Sequence, residues 1–256
     1  MRIVVKVGTS TLAHSTGRLN IRQVEKLTKV LSDLKNSGHE IIMVSSGAIG
    51  MGSGKLSLKK RPDDIATKQA AAAVGQCELM YTYDKLFSEY HHTVAQILLT
   101  GEDFEVERRY ENFSTTLQRL LELDALPIIN ENDSIATEEI VIGDNDTLTA
   151  LVAIGARADL LVLLSDIDGL YTADPHKDPD AKLIEIIERV DDGIIALGGD
   201  SSTKLGTGGM KTKIHAARLC TEKGIDMIIA NGSDPESLYR IVEGESVGSK
   251  FLGRRA

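Results

Sequence analysis

The chain has few cysteines, no long apolar run and no excess of positive charge, and each shortage removes a class of protein. Cys77 and Cys220 are the two cysteines in 256 residues. They stand far apart, with no CxxC pair and no His-rich spacing, so neither a disulfide framework nor a zinc site is expected. Two free, buried thiols in a reducing compartment are expected instead. No stretch approaches the roughly 20 consecutive apolar residues of a membrane helix. The amino terminus runs directly into a strand-like segment with no signal-peptide pattern, which points to a cytoplasmic protein without a membrane partner. The formal net charge is -9, whereas a nucleic-acid partner needs a clustered basic surface that displaces counterions. The runs Lys59-Lys60-Arg61 and Arg254-Arg255 are too short to form one and read as solvated segments. Repeats, low-complexity linkers and composition shifts are also missing, so residues 1–256 read as one α/β domain with a substantial core.

What is present is an alternation, from end to end, of short apolar runs with longer amphipathic ones. That is the pattern of an open, mainly parallel sheet sandwiched by helices. Ile3 to Val7 is nearly all β-branched, as a strand buried on both faces should be. A helix is expected from Asn20, a suitable N-cap, with Val24, Leu27, Leu31 and Leu34 on one stripe and a stop near Gly38. Further strands are expected at Glu40 to Val44, Thr93 to Leu98, Leu126 to Ile129, Leu160 to Leu164 and Ile225 to Ile229. Gly169 to Gly206 carries mixed signals, read as short strands and a hairpin. Asp234-Pro235 reads as a cap followed by Pro at the first helical position.

The polar clusters fall at the carboxyl ends of the expected strands, where open α/β sheets place their ligands. Lys6-Val7-Gly8-Thr9-Ser10 follows the first strand and Ser45-Ser46-Gly47-Ala48-Ile49-Gly50 the second. Small residues there let backbone N–H groups and a helix N-terminus approach a phosphate, although tight βα turns use the same residues. Lys6 is the odd member. On an edge strand it would reach solvent; on a central strand, which the flanking valines favour, it needs an anion or a carboxylate partner. Asn130-Glu131-Asn132-Asp133 and Gly143-Asp144-Asn145-Asp146 form an acidic, amide-rich pair of loops. Capping by Asp144 or Asn145 accounts for one such residue; a pocket for an ammonium group, or for organising lysines, accounts for the group.

Gly206-Thr207-Gly208-Gly209-Met210-Lys211-Thr212-Lys213 precedes an amphipathic helix but has Met210 where a Walker loop needs Gly before its Lys-Thr pair. Gly50-x-Gly52-x-Gly54 likewise lacks the GxGxxG spacing of a dinucleotide site, which disfavours a Rossmann dehydrogenase. Ser165-Asp166-Ile167-Asp168 and the following residues to Pro175 sit where a wall for a nucleotide base and ribose belongs. His91-His92 has no partner at metal-ligand spacing and reads as a surface pair at a helix end, and no metal-binding residues are expected.

With these motifs in order, the chain resembles the amino acid kinase family from Arg2 to about Gly248. VVKVGTS, SSGAI, GLYTADP and GTGGMKTK, starting at residues 4, 45, 169 and 206, carry the broad match. INENDSIAT and IGDND, starting at 129 and 142, resemble the amino-acid pocket of the branch that phosphorylates the γ-carboxylate of free glutamate. The resemblance implies the family's fold, with a substrate lobe at about 1–155 and a nucleotide lobe at about 156–256. It implies ATP and Mg²⁺ as cofactors, with Lys6 and Lys213 on the transferring phosphoryl group and Asp146 positioning both. It further implies that Ser46, Asp133 and Asn145 hold glutamate, and that Ser165, Asp166, Thr207, Gly208, Gly209, Met210, Lys211, Thr212 and Lys213 hold ATP together with Lys6. Proline as feedback inhibitor and a homo-dimer or homo-tetramer are implied as well. Many members of the branch carry a further PUA domain, which this sequence does not contain. Acetylglutamate, aspartate and uridylate kinases are the neighbouring activities, and a non-catalytic sensor is the alternative of another class. The chemistry agrees: a γ-carboxylate with a pKa of about 4.3 is already ionised at neutral pH. Phosphoryl transfer to it therefore needs charge cancellation and alignment, and no catalytic His or Cys.

Overall fold

Lys6 lies on a central strand. The computed structural model describes residues 1–14, 16, 18–60, 62–136, 145–175, 177–199 and 209–254. In it β1 (Arg2–Val7) pairs in parallel with β2 (Glu40–Ser45) on one side and with β5 (Leu160–Ser165) on the other, putting Lys6 opposite Val44 and Leu163. Between β1 and β2 come α1 (Thr9–Leu12) and α2 (Ile21–Asn36), the latter capped by Asn20, whose side chain accepts from the Gln23 N–H. Then follow α3 (Ala48–Lys55), α4 (Ile65–Ser88), β3 (Val94–Leu99), α5 (Glu102–Glu105), α6 (Glu107–Glu122), β4 (Leu126–Glu131) and α7 (Asn145–Gly155). After β5 come β6 (Ile186–Ile187), α8 (Asp192–Ala196), α9 (Met210–Glu222), β7 (Asp226–Asn231), α10 (Ser237–Val242) and β8 (Ser249–Phe251). The sheet order is β3-β4-β2-β1-β5-β7-β8-β6, and every pairing is parallel except β7 with β8.

All six expected strands are present, most of them running one or two residues further than their apolar stretches. Ser45, Asn130 and Ser165 are buried polar residues at these carboxyl ends, so hydrophobicity stops before the ladder does. Alternation then sorts the side chains. Ile3, Val5 and Val7 face α2, α3 and α4, whereas Val4 shares its face with Phe113, Ala150 and Ile214 from α6, α7 and α9. Lys6, two residues after Val4, must point to that second face.

The mixed region carries the expected short pairings, Tyr171 bridging Leu183 antiparallel and the Ile184 N–H donating to the Leu170 carbonyl, but it also holds the helix α8, which the sequence does not signal, and 200–206 lie outside the described residues. At Asp234-Pro235 the helix starts later than expected, at Ser237, although the Asp234 carboxylate still accepts from the Glu236 N–H at 3.3 Å. Two other expectations are corrected. His92 is buried, not at the surface, because His91 adopts a left-handed φ of 62° that ends α4 and turns the next residue inward. Cys77 is exposed while Cys220 is buried: α4 packs through its Ala71, Ala72 and Gly75 face, and Cys77 lies off it. Among the described residues no helix is long and apolar enough to cross a membrane.

Candidate active site

The strand order reverses direction at β1, with β2 on one side and β5 on the other, and ligands of open α/β sheets bind in the crevice this creates. Lys6 reaches it from β1. Opposite stands the first turn of α7, where Asp146 is fully buried and favoured as an anion by the helix dipole. Lys213 arrives from the first turn of α9, an end where the dipole disfavours a cation. Asp146 offsets both costs. Its Oδ1 lies 2.8 Å from Lys6 Nζ and its Oδ2 lies 2.8 Å from Lys213 Nζ. Burial pushes the Asp146 carboxyl up, but the two ammonium groups outweigh it and hold the group well below the usual carboxylate range. The three side chains together carry one net positive charge. In a nearly dry site such an excess attracts an anion.

Next to this bridge lies an amide cluster. Asn145 is the first residue of α7, and its Nδ2 lies 2.8 Å from the Ser45 carbonyl oxygen, 2.9 Å from Ser46 Oγ and 3.0 Å from Asn130 Oδ1, with its two hydrogens shared among the three. Ser46 and Asn145 are thus in direct contact. The turn that exposes Ser46 needs Gly47, whose φ of +96° is costly for any residue with a Cβ.

Asp133 lies beyond the end of β4 in the wall of a cavity of about 430 Å³ that Ala48, Gln76 and Glu131 also line. Burial raises its carboxyl to about 6. A half-buried carboxylate of this kind is a ready acceptor for a cation. The loop 137–144, which includes Asp144, lies outside the described residues.

On the other side of the lysines, Ser165 is buried at the end of β5 and Asp166 is exposed, with Ser165 Oγ donating to Asp166 Oδ1 at 3.1 Å. Beside them a cavity of about 440 Å³ is lined by Leu170, Tyr171, Pro175, Leu197 and Met210, among others. Gly209 precedes α9, Lys211 points to solvent, and Thr212 Oγ1 lies 3.2 Å from Asp146 Oδ2. Thr207 and Gly208 lie outside the described residues.

The model of the amino acid kinase family matches residues 1–231. The glutamate 5-kinase of Caldanaerobacter subterraneus subsp. tengcongensis is 53% identical over 252 residues, covering 98% of this chain and 68% of that protein. That of Clostridium perfringens is 49% identical over 258 residues, covering 99% and 96%. The chain belongs to the amino acid kinase family, in its glutamate 5-kinase branch. Solved structures show the same fold. Carbamate kinase from Giardia lamblia bound to AMP-PNP superposes with a TM-score of 0.68 at 15% identity over 98% of both chains. UMP kinase from Bacillus anthracis superposes with 0.66 at 15% identity, over 99% of this chain and 96% of that one.

In this kinase the fold brings Lys6, Asp146 and Lys213 together, and Ser46 with Asn145, from stretches as distant in sequence as β1 and α9. Several residues escape a reading of the sequence. Asn130 holds the Asn145 amide and Gln76 holds Asn130, at 3.0 and 2.8 Å. Leu197 from the end of α8 completes the second cavity. Asn130 falls inside a cluster whose members have no individual signal, and Gln76 is one polar residue in an alanine-rich helix with nothing to mark its side.

Proposed function

We propose that this kinase transfers the γ-phosphoryl group of ATP to the γ-carboxylate of L-glutamate, giving ADP and L-glutamyl 5-phosphate, the first step of proline biosynthesis. The observation that carries the reading is the buried carboxylate of Asp146 bridging two lysines at the mouth of the sheet. One carboxylate oxygen of glutamate attacks the γ-phosphorus as the bond to the β,γ-bridging oxygen breaks. The acceptor is already an anion, so the barrier is repulsion and alignment, and no base has to remove a proton. Lys6 and Lys213 offset charge on the oxygens of the transferring group, and Asp146 holds the two ammonium groups apart and aimed.

Ser165, Asp166, Lys6 and the stretch 207–213 would hold ATP, with the base against the apolar cavity beside Tyr171 and Met210. Among the described residues no group of three or more His, Cys, Asp or Glu could hold a metal ion. The proposal has Mg²⁺ carried on the triphosphate, where it would supply further neutralisation. Ser46, Asn145 and Asp133 would hold glutamate, Asp133 receiving its ammonium group. That role favours a free amino acid over an N-acetylated one, whose nitrogen carries no charge. A homo-dimer or homo-tetramer belongs to the same reading, and light scattering on the purified chain checks it.

Incubation with ATP, glutamate and hydroxylamine tests the activity, because an acyl phosphate is trapped as a hydroxamate. Hydroxamate formation is expected with glutamate and not with N-acetylglutamate or aspartate, and ADP release is not expected with UMP. ATP turnover indifferent to glutamate would overturn the proposal.

A further inference from the structure

The amide cluster behind Ser46 ends in a side chain that phosphoryl transfer leaves unused, and its hydrogen bonds orient one another from an unambiguous starting point. The Ser45 carbonyl can only accept, so the Asn145 side-chain atom 2.8 Å from it is the nitrogen. The same NH2 group faces the Asn130 side chain, and the backbone N–H of Glu131, which can only donate, faces the same Asn130 oxygen at 2.9 Å. The Asn130 carbonyl is therefore fixed toward Asn145. Its own NH2, buried with the rest of the residue, must find an acceptor and does so in the Gln76 side-chain oxygen at 2.8 Å. That contact orients the last amide as well: the NH2 of Gln76 is turned away from Asn130. Among the described residues it has no hydrogen-bond partner, and Gln76 lines the cavity that Asp133 lines.

An amino acid brings a cation and an anion on the same carbon. Asp133 answers the cation; for the anion, the described residues of the cavity wall include no lysine or arginine, and their side-chain donors are Gln76, Gln96, Asn132 and Ser134. Gln96 is exposed on the edge strand β3, Ser134 is exposed and donates to Asn132 Oδ1 at 2.6 Å, and Asn132, whose NH2 that bond leaves unused, stands on the loop beyond β4 rather than on a regular element. Gln76 is half-buried and held at its far end, so little rotamer freedom is lost when it binds.

We infer that the side-chain NH2 of Gln76 binds the α-carboxylate of the acceptor amino acid and sets the requirement for a free carboxylate at that position. This rests on the reading of the Asp133 cavity as the amino-acid site. Gln76→Glu tests it, because the introduced carboxylate can still accept from Asn130 while the donor is replaced by an acceptor of like charge to the ligand. Glutamate and its α-amide, isoglutamine, are compared as substrates in the hydroxylamine assay on the full chain; where the α-amide turns over too slowly, inhibition constants against glutamate give the same ratio. The KM for glutamate should rise about 10-fold or more with that for ATP unchanged. The preference for glutamate over the α-amide should fall by at least the same factor, since an amide can donate to the new carboxylate. This ratio belongs to the active fraction alone, so partial misfolding does not alter it, and Gln76→Met, which loses the donor without adding charge, should give a smaller fall. An unchanged ratio in both variants overturns the inference. If Asp133→Ala raises the glutamate KM in the same assay, only the role of Gln76 is lost; if it does not, the cavity is not the amino-acid site and both fail.

Discussion

Removing Lys6 or Lys213 leaves Asp146 with one ammonium partner, whereas removing Asp146 leaves two ammonium groups facing each other in a mostly buried site. The two kinds of variant should therefore fail differently. Lys6→Ala and Lys213→Ala should lower kcat about 10²- to 10³-fold, the usual cost of one preorganised donor, and wild-type turnover at saturating substrates would remove the lysine from catalysis. Asp146→Ala should in addition cost about 3–5 kcal/mol of stability, as loss of one member of a buried ion pair does. Denaturant unfolding of the three variants shows whether the aspartate alone carries that penalty. At Asp133 the expectation concerns pH. Its carboxyl is raised to about 6, and it must be ionised to meet an ammonium group. The kcat/KM for glutamate should therefore fall as pH drops through about 6, well above the pKa of glutamate's own γ-carboxyl near 4.3. Asp133→Asn should lack that limb; a limb that persists belongs to another group. At pH 8 Asp133→Ala should raise the glutamate KM roughly 10- to 150-fold and spare that for ATP, as expected for one charge-assisted hydrogen bond.

Between α3 and α4 the determining contact is backbone on backbone. A Cβ at Gly52 would lie 1.7 Å from the Ala71 carbonyl oxygen, and one at Gly75 would lie 1.8 Å from that of Ala48. In the sequence, Gly50-x-Gly52-x-Gly54 looks like a failed nucleotide loop; in the fold its middle glycine is a packing surface inside a helix. Spacing alone cannot separate these uses, because the Ala71 carbonyl that demands Gly52 is nineteen residues away on another helix. Gly75→Ala should cost about 1–3 kcal/mol or more, the range for overpacking, and lower Tm by several degrees. Since Ala48 and Gln76 line the Asp133 cavity on either side of this contact, the folded fraction should also show a raised glutamate KM and an unaltered ATP KM. A variant as stable as the parent would mean that the helices separate freely.

For the whole chain, the two cavities lie on opposite sides of the lysine bridge, one lined from α3, α4 and β4 and the other from the stretch after β5 and from α9. Proline carries the α-carboxylate and α-nitrogen of glutamate but no γ-carboxylate, and on the proposed reading of the Asp133 cavity it would occupy that end without accepting a phosphoryl group. Inhibition would then exclude glutamate. The proline concentration for half inhibition should rise with glutamate, and Asp133→Ala should weaken both ligands together. A half-inhibition point independent of glutamate would mean a separate site.

By itself the sequence determined the layered α/β architecture, because β-branched runs and 3.6-residue periodicity are local properties that nearby residues display in full. It also marked Lys6 as a residue needing compensation on a central strand, the placement that its flanking valines favour. Apart from the family resemblance, which implied Asp146, it could not determine which carboxylate compensates it, nor whether His92 and Cys77 face inward or outward, nor which way a chain of three amides is turned. Each of these depends on atoms brought together from distant segments: Asp146 meets Lys6 across 140 positions and Lys213 across 67. Such meetings are set by the sheet order and by the close approach of glycine-bearing helices, and only the packed structure holds that information.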